Sequence, residues 1–225
     1  MCIGTRHMGN NREMINISKA TIGRMPAYLR FLKEKEKAGE RTISSTAIAE
    51  ELNLNAVQVR KDLAVISSVA GKPKLGFEIS DLIADINRFL GYDNVTDAVI
   101  VGAGGLGRAL VGYGGFKNYG LNIVAAFDSS PELIGKKFGG VQVYDAADIA
   151  RLVRRMNVKI GIIAVPQGAA QQVADELIGG GVRAIWNFAP ANLNLPTNIA
   201  VKNEDMAASL AILSMRLAEI LNNEK

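Results

Sequence analysis

A glycine-rich hexad, Gly102-Ala103-Gly104-Gly105-Leu106-Gly107, constrains this chain more than any other segment. It follows the continuous apolar run Asp97-Ala98-Val99-Ile100-Val101, suited to a central parallel strand, and opens a helical pattern through about Val111. In that context each spaced glycine has a physical task. Gly102 permits a tight turn, Gly104 lets the backbone approach a pyrophosphate, and Gly107 lets helix and strand pack closely. Ala103, Gly105 and Leu106 complete the turn. The helix N-terminus then offers N–H donors and a positive dipole to the phosphates.

A second strand, Asn122 to Phe127, ends in Asp128, about 20 residues beyond the last glycine. An acid there accepts hydrogen bonds from both adenosine ribose hydroxyls and repels a 2′-phosphate, which favours NADH and NAD+ over their phosphorylated forms. Further strands are expected at Val141–Val143, Lys159–Val165 and Arg183–Phe188, with helices at Asp148–Met156 and Ala169–Ile178 between them. Right-handed crossovers build one α/β domain with a parallel Rossmann-type sheet from these elements. Ala164-Val165-Pro166 and Asn187-Phe188-Ala189-Pro190 emerge at its carboxyl edge, where ligands sit.

The chain before residue 92 has a different texture, helical and poor in glycine. Ile22, Met25, Leu29 and Leu32 form one apolar stripe, stopped near Gly39. Ser44 and Ser45 cap a short helix through Glu51 with Ile48 and Leu52 inward. After the turn at Asn53-Leu54, Asn55 caps a third helix with Ala56, Val59, Leu63 and Ile66 buried. Gln58, Lys61, Asp62 and Val65 then share the outer face, with Arg60 on the flank. The basic loop from Gly71 to Phe77 follows, with Lys72 and Lys74 around Pro73. Three helices and a basic loop describe a winged helix-turn-helix. A small helical bundle with solvated lysines is the alternative.

Charge agrees with the first reading. Residues 1–78 hold 13 Lys/Arg against 8 Asp/Glu, an excess of +5, whereas residues 79–225 hold 13 against 14. A basic lobe on a near-neutral body points to an anionic partner such as DNA. The expected organisation is a disordered tail at 1–16, with a tag-like His7-Met8. A DNA-binding domain follows at 17–79, a linker helix at 80–94, a Rossmann NAD(H)-binding domain at 95–203 and a terminal helix at 204–225. Met206, Leu210, Leu213, Leu217 and Ile220 of that last helix fall on a heptad-like seam, for packing on its own sheet or, domain-swapped, across a dimer. There is no run long enough to span a membrane and no apolar leader, and the single cysteine excludes internal disulfides and cysteine-based metal sites. A cytoplasmic protein without membrane or metal is expected.

No catalytic residue is expected. Hydride transfer commonly needs a histidine or a Tyr-Lys pair as proton donor, and the only histidine is His7. Tyr113 and Lys117 have Tyr-x-x-x-Lys spacing but lie after the first helix of the sheet domain, not on a later one. An oxidoreductase and a CoA-binding domain remain the competing readings; Asp128 opposes the second, because CoA carries a ribose 3′-phosphate.

Over residues 17–221 these motifs resemble the Rex redox-sensing repressors. The resemblance rests on Tyr28-Leu29-Arg30, Gln58-Val59-Arg60-Lys61-Asp62-Leu63, Gly102 to Gly107, Phe127-Asp128 with Ile134-Gly135, Ala164-Val165-Pro166 and Asn187-Phe188-Ala189-Pro190. It implies a homodimer that binds double-stranded palindromic operator DNA at low NADH and leaves it when NADH closes the dimer. It places Ser45, Asn55, Gln58, Arg60 and Lys61 at the DNA, with Lys72 and Lys74 in the wing. It brings Tyr113 near the nicotinamide and makes Arg24 and Asp205 an interdomain salt bridge of the NADH-bound state. The chain departs from the family at Ala64-Val65-Ile66-Ser67-Ser68, where an aromatic, glycine-containing stretch is usual, and the wing is one residue longer.

Overall fold

The helices of the N-terminal part begin where a polar side chain accepts their first free N–H groups. Ser18 caps α1 (Lys19–Lys37), Ser44 caps α2 (Ser45–Glu51) and Asn55 caps α3 (Ala56–Ile66). The computed structural model describes residues 17–68, 71, 76–93 and 96–223 and divides near residue 94 into two units. Residues 1–16 and the wing lysines Lys72 and Lys74 lie outside the described residues.

In the first unit α2 turns into α3 through Asn53, whose φ of 50° is a conformation that asparagine tolerates. Two short strands, β1 (Thr42–Ile43) and β2 (Phe77–Glu78), pair antiparallel at the base of the wing. The helix α4 (Ile79–Leu90) follows directly. Met25, Tyr28, Leu29 and Leu32 of α1 form the core with Ile48, Val59, Leu63, and Ile79, Leu82 and Ile86 of α4.

Two expectations change here. The segment 80–94, expected as a linker helix, is helical through Leu90 as expected, but the apolar side of that helix belongs to this core, so it packs within the first unit. Asp62, expected on the outer face of α3, is 2% exposed. Helical periodicity places it outward; donors from α1 take it inward. Its carboxylate accepts from Arg24 Nε and Nη2 at 2.7 and 2.8 Å, Tyr28 Oη at 2.8 Å and Thr21 Oγ1 at 3.2 Å.

The second unit is one seven-stranded sheet in the order β5-β6-β4-β3-β7-β8-β9. In chain order it runs β3 (Thr96–Val101), α5 (Gly105–Gly112), a 3-10 turn (Gly114–Tyr119), β4 (Leu121–Asp128), β5 (Lys137–Phe138), β6 (Val141–Asp145), α6 (Ile149–Met156), β7 (Ile160–Ile163), α7 (Ala170–Gly179), β8 (Ala184–Asn187), β9 (Ala200–Asn203) and α8 (Met206–Asn223). All neighbours are parallel except β5 and β6. Of the edge strands, β5 is too short and β9 too exposed to show in the hydrophobic pattern. One face packs Val99, Val101 and Phe127 against Val153 of α6 and Leu177 of α7. The other packs Ala98, Ile100 and Ile162 against Leu110 and Val111 of α5. The order reverses around β3, which opens the crevice of a doubly wound sheet at its carboxyl edge. No residue of α8 is buried. Among the described residues no helix is long and apolar enough to cross a membrane.

Burial pushes the Asp62 carboxyl up, but hydrogen bonds from Arg24, Tyr28 and Gln58 and the Arg24 charge outweigh it and hold it below its ordinary 3.8. A lowered native value means that the unfolded chain binds more protons. The stability from this pair is therefore complete above the ordinary value and disappears as pH falls through the lowered one. Acid unfolding of the first unit, followed by circular dichroism, should include this loss, and Asp62→Asn should remove it. At neutral pH, Asp62→Ala should destabilise the unit by about 1–3 kcal/mol in denaturant melts, because it leaves the buried Tyr28 hydroxyl without its acceptor and takes a partner from Thr21 and Arg24.

Candidate dinucleotide and DNA-binding sites

The turn between β3 and α5 is held by the main chain. Gly102 N–H donates to the Phe127 carbonyl at 2.8 Å and Ala164 N–H to that of Val101 at 2.8 Å, so the ends of β3, β4 and β7 are pinned together. Gly102 has φ +99°, and a Cβ there would overlap the Ala164 carbonyl oxygen. A Cβ on Gly107 would overlap the Gly102 carbonyl oxygen. Both glycines are thus demanded by the protein itself. Gly104 is different: a Cβ there would meet nothing within 4 Å. It is the N-cap of α5 and stands exposed with Gly105 and Leu106. The fold itself does not demand glycine at this position.

Asp128 closes the other end of this ledge. Its Oδ2 accepts from Ala103 N at 2.7 Å and its Oδ1 from Ser130 N at 2.9 Å. Each oxygen keeps a further lone pair, which is what a ribose diol requires. Ala164 and Val165 are half-buried at the end of β7 and Pro166 is exposed beside them.

Phe188 follows β8 at the same edge and leads an aromatic row. Its ring lies 4.9 Å from that of Trp186, which lies 5.5 Å from Phe116, which in turn meets Tyr113 edge-on at 4.9 Å. Tyr113 caps the far end of α5, with 54% of its surface exposed. Phe116 and Trp186 belong to this row although sequence reading did not single them out. Their signal lies in the i, i+3 spacing of Tyr113 and Phe116 and the i, i+2 spacing of Trp186 and Phe188.

Asn187, expected among the ligand-binding residues, is fully buried. Its amide nitrogen donates to the Ala189 and Ala191 carbonyls and to Asn203 Oδ1, and its Oδ1 accepts from Ala189 N. The side chain shapes the loop that carries Phe188, Ala189 and Pro190. Ala189 is buried and Pro190 is exposed.

On α3 the exposed side chains are Val57, Gln58, Arg60, Lys61 and Ala64. Asn55 uses its Oδ1 on Val57 N and Gln58 N. Ser45 is buried at the start of α2. Gln58 donates to Asp62 through Nε2 at 2.9 Å. Val57, 56% exposed at the front of the helix, has a surface suited to a thymine methyl; it escapes sequence reasoning because it breaks no periodicity. Arg24 is engaged by Asp62 within the first unit, whereas Asp205 Oδ1 accepts from Ala208 N at the start of α8.

Residues 16–64 match a family described as "Putative DNA-binding protein N-terminus", and residues 93–191 match one described as "CoA binding domain". Over 206 residues the chain is 43% identical to a protein of Desulforamulus reducens named redox-sensing transcriptional repressor Rex, covering 92% of this chain and 98% of that one. The chain belongs to the Rex family. Two solved structures of RSP, a Rex-family repressor, are each 34% identical to it. The complex with β-NAD+ and operator DNA has a TM-score of 0.85 and covers 92% of this chain and 95% of its own. The complex with β-NADH has a TM-score of 0.82 and covers 93% and 99%. The Rex relatives are named as repressors rather than enzymes, and they span the hexad, Asp128 and α3 in one chain.

The two kinds of glycine separate by experiment. Gly107→Ala should lower the melting temperature of the protein and reduce NADH binding together. Gly104→Ala should leave the melting temperature within about 1 °C, since a surface change away from special contacts is within about 0.5 kcal/mol. It should still weaken NADH at least tenfold in calorimetry.

Proposed function

We propose that this chain is a DNA-binding transcriptional repressor that senses the NADH/NAD+ ratio. It holds a palindromic operator at low NADH and leaves it when NADH closes the homodimer. The observation that carries this reading is the exposed, side-chain-free Gly104 beside Ala103, whose N–H Asp128 accepts, in a chain whose other unit presents a capped helix with Gln58, Arg60 and Lys61 outward. RSP, similar over 92–93% of this chain, is the repressor solved with NAD+ and operator DNA and with NADH.

In this reading the Gly102–Gly107 backbone and the N-terminus of α5 take the pyrophosphate and Asp128 the adenosine ribose. Ala164, Val165, Pro166, Phe188, Ala189 and Pro190 surround the nicotinamide, with Tyr113 approaching through the aromatic row, and Asn187 supports the loop from within. Phe188 and Ala189 make that end apolar, so the neutral reduced ring is favoured over the charged oxidised one. At the DNA, Gln58, Arg60 and Lys61 enter the major groove and Asn55 sits at a helix start beside the phosphate backbone; Ser45, being buried, supports the start of α2, and Lys72 and Lys74 add positive charge for the phosphates.

The homodimer is supported by α8. Met206, Leu210, Leu213 and Leu217 are each more than half exposed, and Ile212 and Met215 add apolar surface beyond that seam. A helix apolar around so much of its circumference needs covering, and a second copy of the chain provides it. A switch that pairs Arg24 with Asp205 draws on a guanidinium whose Nε and Nη2 already serve Asp62, so NADH has to favour the closed state by more than any rearrangement of that pair costs. In this reading the protein acts in the cytoplasm.

Fluorescence anisotropy on an operator duplex at fixed salt tests the function directly. NADH should release the duplex at concentrations where NAD+ leaves it bound; equal release by both, or equal calorimetric affinities for both, would overturn the sensing role. Leu213→Glu with Leu217→Glu should give a monomer by light scattering and lose operator binding, because one half-site alone binds weakly.

A further inference from the structure

Gln58 is held by the same carboxylate that anchors the core of its unit. Asp62 faces five donor atoms: Arg24 Nε and Nη2, Tyr28 Oη, Thr21 Oγ1 and Gln58 Nε2. Thr21 and Tyr28 are buried and Arg24 is half-buried, whereas Gln58 stands on the exposed side of α3. An ionised carboxylate only accepts. Of the two orientations of the Gln58 amide, one directs Nε2 to Asp62; the other sets Oε1 against two negative oxygens and is disfavoured. The amide is therefore not a free rotor that turns by 180° to suit whatever it meets.

We infer that Asp62 is a positioning residue that fixes which base Gln58 reads. The inference rests on α3 being the recognition helix. With Nε2 committed inward, the acceptor Oε1 is the atom turned away from the carboxylate and toward a groove. In the major groove an acceptor matches the exocyclic amines, N6 of adenine and N4 of cytosine, and is repelled by the keto oxygens O6 of guanine and O4 of thymine. The second amide N–H remains available to a purine N7, which adenine supplies and cytosine does not. Gln58 thus selects an amine-bearing base, adenine foremost, at one position of each half-site. A glutamine without this anchor would accept amine and keto bases by flipping.

The test uses the full chain and the duplex it selects from a randomised palindromic pool. In that duplex each adenine is replaced in turn by purine, which lacks the N6 amine, and each cytosine by 2-pyrimidinone, which lacks the N4 amine. Binding is followed by anisotropy. At one position per half-site, loss of the amine should raise the wild-type Kd about tenfold, the scale of one good hydrogen bond. Gln58→Ala should show no penalty there. Asp62→Asn offers a neutral amide that both donates and accepts, so its penalty should fall toward none and its selected base should broaden to include guanine or thymine. Absence of any amine penalty in the wild type, its persistence in Gln58→Ala, or a full penalty in folded Asp62→Asn would overturn the inference. If Asp62→Asn does not fold, the wild type and Gln58→Ala decide whether the base read is an amine or a keto one, and a keto preference refutes the anchor. Failure to select any duplex would instead refute the recognition-helix reading, and this inference with it.

Discussion

A carboxylate removed from water must be surrounded by donors, and in this protein that requirement organises the whole N-terminal unit. Asp62 draws Thr21, Arg24 and Tyr28 of α1 onto α3, with residues that are 34 to 41 positions away in the chain. Burial and the same carboxylate push the Tyr28 hydroxyl up to about 12, so it stays a donor throughout the range in which the protein works. The apolar contacts of Met25, Leu29, Leu32, Val59 and Leu63 supply the non-directional attraction between these helices. The carboxylate supplies the direction, because its donors fit only one rotation of α3 about its axis. Whatever faces outward from α3, including Gln58, Arg60 and Lys61, is set by that choice.

The second unit depends on a different kind of constraint, the approach of backbone to backbone. Gly102 sits where the Ala164 carbonyl would strike a side chain, and Gly107 where the Gly102 carbonyl would. These contacts bring α5 onto β3 with its free N–H groups at the carboxyl edge of the sheet. Asp128 then reaches across to Ala103 N, so the acid proposed for the ribose also ties β4 to the phosphate turn. The carboxylate proposed for cofactor recognition thus also serves strand-end architecture, which leaves little room for substitution there.

Much of this is legible in the residues and their spacing. The caps at Ser44 and Asn55 and the turn at Asn53 announce α2 and α3, and the hexad with its flanking strand and acid announces the dinucleotide turn. The apolar stripe of α1 is plain in Met25, Leu29 and Leu32. Asp62 escapes because periodicity assigns a charged residue to solvent, and nothing within one helical turn reveals donors on another helix. Position at a strand end makes Asn187 look ligand-facing, whereas its partners at Ala189, Ala191 and Asn203 make it a loop anchor. The segment after residue 79 resembles a linker because an amphipathic helix gives no sign of which core receives it.

The sequence by itself determined conformations set by near neighbours: where helices start and which turns need glycine. Caps act over three residues and glycine sterics over one turn, so these instructions are local and readable. Only the tertiary structure decided that Asp62 is buried, that Tyr113, Phe116, Trp186 and Phe188 form one row, and that α8 leaves its apolar surface uncovered. Each of those depends on which distant groups arrive beside a residue, and desolvation is decided by that company rather than by the residue's own character.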